Sequence, residues 1–202
     1  MKTTFCVFIL LILSFNLYCQ KSKNRLVNNY YQGIYYYLSP DTTDFKREIL
    51  FVSMPSFIAP EYSVAVEKKE GNFKLKLRSF KSNYWDLVFS KRSNDTVMVV
   101  SKIDSFAVSV TDVFADKLIF LFQIVLPDDP SSNSRGLQMY DGIKYYISNN
   151  KYKREVRENN FTYRNYYNLV VLCESIANAI KNGDFNEILY FDLIDTILTT
   201  NE

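Results

Sequence analysis

The stretch FKLKLRSF at residues 73–80 alternates apolar and basic side chains. Successive side chains of a β-strand point to opposite faces of the sheet, so this pattern predicts a strand with one apolar and one basic face. The basic side chains are Lys74, Lys76 and Arg78. The chain is therefore expected to build an antiparallel sheet that packs on one face and meets water on the other.

Other segments with strand period surround this one. Residues 62–68 are predicted to form a hairpin with 73–80 across the turn Glu70-Gly71-Asn72, and the apolar run 49–54 indicates a buried strand. The remaining predicted strands are 84–90, 96–102 and the two arms of a hairpin at 137–148, which turns at Asp141-Gly142.

Four segments have helical period. Residues 26–38 place four of their five tyrosines on the apolar half of a helical wheel, with Tyr36 alone on the polar half. A central helix is predicted over 111–126, capped by Thr111 or Asp112 and buried on more than one side. Its apolar stripe consists of Phe114, Leu118, Leu121, Phe122 and Val125. The last two helices are predicted over 163–182 and, after a capping box formed by Asp184 and Glu187, towards the end of the chain. The apolar stripe predicted for the helix at 163–182 consists of Tyr166, Leu169, Val170, Cys173, Ile176, Ala177 and Ile180.

These elements predict an α+β fold in one domain over residues 20–202. Its parts are an N-terminal helix, a mostly antiparallel sheet, one buried central helix and two C-terminal helices. Residues 1–19 contain one lysine and a short apolar run, which is typical of a secretory signal peptide. We expect an exported protein, periplasmic or extracellular, whose mature chain has no transmembrane segment. Cleavage before Cys19 would instead give a lipid-anchored protein, although Tyr18 and Asn16 fit that route poorly.

The chain contains no histidine, which removes histidine-activated nucleophiles and histidine-ligated zinc. It also predicts that stability changes little between about pH 5.5 and 7.5, where histidine would titrate. Of three cysteines only Cys173 lies outside the leader, so no intrachain disulfide is expected, and Cys173 is predicted to be a small buried apolar side chain. The 24 basic and 22 acidic residues nearly balance, which gives no reason to expect a nucleic-acid partner.

Motifs for cofactors, metals and catalysis are weak. The five glycines form no phosphate-binding spacing, so no cofactor is predicted. The oxygen-rich run Asp128, Asp129, Ser131 and Asn133 lacks the glycine and glutamate that a calcium loop needs, so no metal site is predicted. Carboxylates that could act in glycoside cleavage are present, but no pair has a spacing that fixes the separation required. They are Asp86, Asp141, Glu155 and Glu158.

The candidate binding residues combine cations with aromatic rings. The basic face of the strand at 73–80, with Lys81, Tyr84 and Trp85 nearby, could hold an acidic glycan or a lipid phosphate by charge and stacking. The alternative is an ordinary solvated sheet face whose lysines discourage edge pairing. Tyr36 is the other candidate contact, as the one tyrosine of its helix on the polar side.

A resemblance is carried by the second half of the chain. A buried helix, a polar loop, the sequence GLQMYDGIKYYI, a charged stretch and a closing amphipathic helix resemble small secreted proteins of Bacteroidota, mostly of unknown function. The resemblance covers about residues 105–183, and the leader ending at Cys19-Gln20 is also common in that group. The stretch ENNFTYRNYYN departs from the proline-bearing turn of those proteins, and no catalytic residue is implied.

The sequence thus favours a secreted, non-enzymatic binding or envelope-associated module, with a glycan, an envelope component or another protein as its partner. Two alternatives stay open. One is a histidine-free glycan hydrolase that uses carboxylates, and the other is an inhibitor or immunity-type protein that binds a partner protein.

Overall fold

The computed structural model describes residues 26–40, 45–55, 59–90, 102–127, 142–157 and 164–199. Within them, one sheet of six antiparallel strands has the order β4-β3-β2-β1-β5-β6. The strands are β1 (Lys46–Met54), β2 (Tyr62–Lys69), β3 (Asn72–Phe80), β4 (Ile103–Val110), β5 (Lys144–Asn149) and β6 (Lys153–Arg157). The helices are α1 (26–38), α2 (Tyr84–Ser90), α3 (Asp112–Val125), α4 (Arg164–Asn182) and α5 (Glu187–Thr199). The predicted α+β class is confirmed.

The hairpin β2–β3 forms as predicted. Lys69 pairs with Asn72, so the turn itself consists of Glu70 and Gly71, with φ angles of 51° and 86°. Two consecutive positive φ angles are typical of the tight turns that match strand twist, and Gly71 meets this requirement without strain. The turn sets the register that puts the apolar side chains of β3 on one face.

One face of the sheet packs against α3 and α4, and α5 packs against these two helices; we call this face the closed face. Helix α3 begins at Thr111, whose hydroxyl accepts a hydrogen bond from the Phe114 N–H, and the predicted apolar stripe of the helix is buried. Helix α3 packs against the sheet and also against α4 and α5, so it is buried on more than one side, as predicted. Phe120 and Ile124 are exposed on its remaining side.

The last two helices lie at their predicted positions, but the predicted capping box of Asp184 and Glu187 is not formed. Helix α4 buries its whole predicted stripe, including Cys173, and ends before Gly183, which has a φ of 78°. The Glu187 carboxylate instead accepts hydrogen bonds from the Thr111 N–H and hydroxyl, at 2.9 and 2.7 Å. Glu187 therefore ties the start of α5 to the start of α3 rather than to Asp184.

The second face, which we call the open face, is only partly in contact with water. Helices α1 and α2 pack on its centre and form a second apolar cluster that contains Tyr30, Ile34, Leu38, Leu50, Val52, Met54, Ala65, Phe80, Tyr84 and Val88. The expectation of one wholly solvated face is therefore wrong. The alternation of apolar and basic side chains in β3 gives no information about the helices that cover β1 and β2. Gly33, placed on the polar half of the wheel, is buried because the ring of Tyr84 lies against it.

The structure departs from the predicted strands at three places. Residues 84–90 form α2, because the Asn83 side chain accepts from the Asp86 N–H and the Glu61 carboxylate accepts from the first turn. Strands β4 and β6 occupy segments for which no strand was predicted. The second arm of the predicted hairpin forms β5, which pairs with β1 and β6, and its first arm lies outside the described residues.

Several predictions fall on residues outside the described ranges. They concern the leader at 1–19, the strand at 96–102 except for its last residue, the oxygen-rich run at 128–133, the hairpin arm at 137–140, and the carboxylates Asp141 and Glu158. Among the helices that the structure describes, none is long and apolar enough to cross a membrane.

Candidate functional site

The basic side chains of β3 come together on the open face, beside the area that α1 and α2 cover. We call Lys74, Lys76 and Arg78 the basic strip. Their neighbours on β4 are, in the same order, Ser109, Ala107 and Ser105. All three β4 side chains are small and exposed, so they leave the basic strip accessible from this side.

One buried carboxylate lies next to the strip. Glu67 of β2 pairs in register with Lys74, and its carboxylate forms an ion pair with Lys76 at 3.3 Å. The Lys76 ammonium also lies 4.9 Å from the centre of the Phe45 ring, a cation–π distance. Lys76 is thus held in place by an acid and a ring, whereas Lys74 is exposed.

A further cation borders the strip on the side of β1. Arg47 pairs in register with Glu67, and its guanidinium donates to the Ser39 hydroxyl and to the Pro40 carbonyl, each at 2.7 Å. These bonds fix the Arg47 side chain at the C-terminal end of α1. Basic side chains commonly donate to acceptors at the C-terminus of a helix. Four cations therefore surround the single carboxylate of Glu67.

Arg78 differs from the other cations of this group. It is half-buried, and among the described residues its guanidinium has no hydrogen-bond or ion-pair acceptor. Burial lowers the pKa of Arg78, and the nearby Arg47 charge lowers it further, while Glu67 opposes both effects. A guanidinium has five N–H donors in a planar fork that matches carboxylate, sulfate and phosphate groups. An anion that bound here would satisfy these donors and reduce the repulsion from Arg47.

The aromatic candidates lie outside the strip. Trp85 belongs to α2, where its ring stacks on Phe89 with centroids 4.0 Å apart and meets Tyr30 edge-on at 4.9 Å. Its partly buried ring therefore belongs to the packing between α1 and α2. Tyr36 is exposed on α1, as predicted, and contacts the ring of Tyr37 edge-on at 4.9 Å. Lys81, considered with this group, forms an ion pair with Asp104 at 2.9 Å.

The predicted catalytic carboxylates that the structure describes are not brought together. Asp86 is exposed in the first turn of α2, and Glu155 on β6 forms an ion pair with Lys144 of β5. In the part of the chain that is described, no cluster of three or more histidine, cysteine or acidic residues could hold a metal ion.

Sequence reasoning missed Glu61, the most buried carboxylate of the described residues. Its two oxygens accept the backbone N–H groups of Tyr84 and Trp85 at 2.7 and 2.9 Å, which gives the short helix α2 its N-terminal acceptor. Burial raises the pKa of Glu61, although these hydrogen bonds partly oppose the rise. The available signal was an acidic residue between Pro60 and an apolar strand.

Comparison of the chain with protein-family models, curated proteins and solved structures gives no match. The resemblance to secreted Bacteroidota proteins therefore stays a prediction, and a functional argument for this chain depends on the geometry of the open face.

Proposed function

We propose that this protein is an exported, non-enzymatic binding module that holds an acidic polysaccharide on the basic strip. The observation that carries the proposal is Arg78, a half-buried guanidinium without an acceptor among the described residues. A half-buried cation loses hydration that a counter-charge or a hydrogen-bond acceptor restores, and the nearby carboxylate of Glu67 is already paired with Lys76.

The arrangement of the strip favours an extended ligand over a single small anion. Alternate residues of a strand lie about 6.6 Å apart, so Lys74, Lys76 and Arg78 cover about 13 Å in a line. Beside them, β4 presents two hydroxyls and one methyl group on a flat surface. A linear glycan with a carboxylate or sulfate on successive sugars can place its charges along such a line.

The same surroundings argue against a lipid surface as the ligand. Peripheral binding to a membrane combines cations with apolar side chains that enter the lipid. Beside the strip, the exposed neighbours on β4 are Ser105, Ala107 and Ser109, which have no large apolar group. A polyanion that stays in water needs no such insertion.

The proposal can be tested by calorimetry with an oligogalacturonate and with its methyl ester, which has the same backbone but no charge. We expect binding of the acidic oligomer only. Arg78→Gln should weaken it on the order of tenfold or more, because hydrogen bonds to charged groups contribute about 1.5–3 kcal/mol. Lys74→Gln should weaken it less and reduce the salt dependence, since Lys74 is exposed.

The matched control is Lys181→Gln, which removes an exposed cation from the last turn of α4 and should leave binding unchanged. Equal binding of the ester, or equal affinity of the Arg78 variant, would overturn the proposal. Binding to phosphatidylglycerol vesicles in preference to the oligomer would also overturn it. Shortening of the oligomer during a long incubation would favour the hydrolase alternative instead.

A further inference from the structure

The two edge strands of the sheet differ in the features that normally prevent pairing with other chains. Strand β6 has the sequence KREVR, in which four of five residues are charged. Strand β4 has the sequence IDSFAVSV, in which Asp104 is the single charge and forms an ion pair with Lys81. Charged residues, proline and bulges protect natural sheet edges, and β4 has none of these beyond Asp104.

Strand β4 is also long, regular and accessible. Its eight residues pair with β3 from Ile103 to Val110 without a register shift. On its other side, no described strand pairs with it. Side chains on both of its faces are exposed, and they include Phe106, a large apolar group at the rim of the closed face. This combination is typical of an edge that accepts a further strand.

We propose that β4 pairs in antiparallel orientation with β4 of a second copy of this chain, centred on Ala107. The sequence of β4 suits this self-pairing. With Ala107 opposite itself, Phe106 lies opposite Val108, and Ser105 lies opposite Ser109. Apolar pairs thus form on the closed face and hydroxyl pairs on the open face, which are both favourable cross-strand combinations.

Charge supports a second copy as the partner at this edge. The side chains from Ser105 to Ser109 carry no charge, so the pairing brings no like charges into contact. The two basic strips would be three strand spacings apart, about 14 Å. That distance exceeds the Debye length of about 8 Å at physiological ionic strength, so their mutual repulsion is well screened.

The dimer would form one continuous sheet, in which the mate covers Phe106 at the rim of the closed face. On the open face, two basic strips would flank a shared surface of serine and alanine side chains. This inference does not depend on the ligand proposed above. Dimer mass and ligand affinity are separate measurements, so failure of one proposal can be distinguished from failure of the other.

Sedimentation of the purified chain at micromolar concentration tests the interface. The expected result for the native chain is a species of twice the monomer mass. In Phe106→Lys the dissociation constant of this dimer should rise at least tenfold, because charge at the rim disfavours edge pairing. The matched control is Val113→Lys, which adds the same charge at an exposed apolar position of α3 and should leave the dimer intact. A monomer throughout, or a dimer that Phe106→Lys does not affect, would overturn the proposal.

Cross-linking tests the register. In Ala107→Cys the two thiols would lie directly opposite, at an antiparallel Cα separation of about 4.5–5.5 Å, which a disulfide can bridge. In Ser109→Cys they would be four residues out of register, about 13 Å apart, which is too far. Mild oxidation should therefore link Ala107→Cys chains but not Ser109→Cys chains. The native chain is the control for its other cysteines, of which Cys173 is buried. Links in both variants, or in neither, would contradict pairing about Ala107.

Discussion

The closed face and the open face of the sheet are built on the same strands, yet they differ in how far helices cover them. On the closed face lie α3 and α4, of 14 and 19 residues, with α5 packed against both, while α1 and the seven-residue α2 cover only the centre of the open face. The difference shows that the apolar packing of this sheet and its cluster of cations lie on opposite faces. The closed face provides most of the apolar packing, and the uncovered part of the open face retains the cations.

The largest expected effect concerns packing on the closed face. Leu121 of α3 and Leu38 of α1 are both fully buried leucines, one in each apolar cluster. Truncation of a buried leucine to alanine costs about 2–5 kcal/mol, more where the surroundings cannot relax into the space. We therefore expect Leu121→Ala to lower the free energy of unfolding by more than Leu38→Ala. Urea denaturation of both variants checks this, and an equal or reversed order would contradict the distinction between the faces.

A smaller effect is expected where α1 meets α2 on the open face. A Cβ at Gly33 would clash with the hydroxyl oxygen and two ring carbons of Tyr84, so the ring or the helix must move. Overpacking of this kind costs about 1–3 kcal/mol, which offsets the helix propensity that alanine adds.

Thermal and urea unfolding of Gly33→Ala should show this loss. The control is Gln32→Ala at an exposed neighbouring position, which should be neutral or slightly stabilising. If Gly33→Ala were as stable as the control, the close contact between α1 and α2 would not exist.

Because of Glu61, the free energy of unfolding should depend on pH, although the chain contains no histidine. Burial raises the pKa of Glu61 above the ordinary value near 4.3. Between the ordinary pKa and the raised pKa, the Glu61 carboxyl therefore keeps its proton in the folded chain but loses it in the unfolded chain. The stability that this contributes is complete below the ordinary pKa and is lost as pH rises through the raised pKa.

The measurement is the free energy of unfolding as a function of pH, for the native chain and for Glu61→Gln, which has no group to titrate there. The variant should lack the decline that Glu61 causes on raising the pH. If the free energy of unfolding declined equally in the native chain and in Glu61→Gln, the decline would come from another titratable group.

The smallest effect is expected at the most exposed ring of α1. Tyr36 is 61% exposed, whereas Tyr30 on the same helix is 2% exposed. Tyr36→Ala should change the free energy of unfolding by no more than about 0.5 kcal/mol, the usual range at the surface. Tyr30→Ala should cost several times as much, because its ring contacts Tyr84 and Trp85. Similar losses in urea denaturation of the two variants would show that Tyr36 is also part of the packing.

Elements with a long, regular period could be predicted from the sequence. The hairpin β2–β3, helix α3 with its cap at Thr111, and the buried stripe of α4 match their predictions, because each depends on residues close together in the chain. The basic strip was predicted for the same reason, since strand geometry alone puts Lys74, Lys76 and Arg78 on one face.

Elements that depend on distant partners could not be predicted. Residues 84–90 are rich in aromatic and apolar side chains and were predicted to form a strand. They form α2 because Glu61, more than twenty residues away, accepts the N–H groups of the first turn. Glu187 has the spacing of a local cap but bonds to Thr111, 76 residues earlier. Strand β4 alternates apolar and small side chains from Phe106 to Val110, a local signal that sequence reasoning overlooked, whereas β6 has four charged residues of five and no apolar pattern.

The sequence by itself determined the alternation of β3, the main helical stripes and the exclusion of histidine chemistry, because these follow from residue identity and local geometry. Only the tertiary structure decided that α1 and α2 cover the centre of the open face and leave Arg78 half-buried without an acceptor among the described residues. It also decided that the nearly uncharged β4 forms an edge. The physical reason is that burial and strand order depend on which distant segments meet, and no local pattern records that.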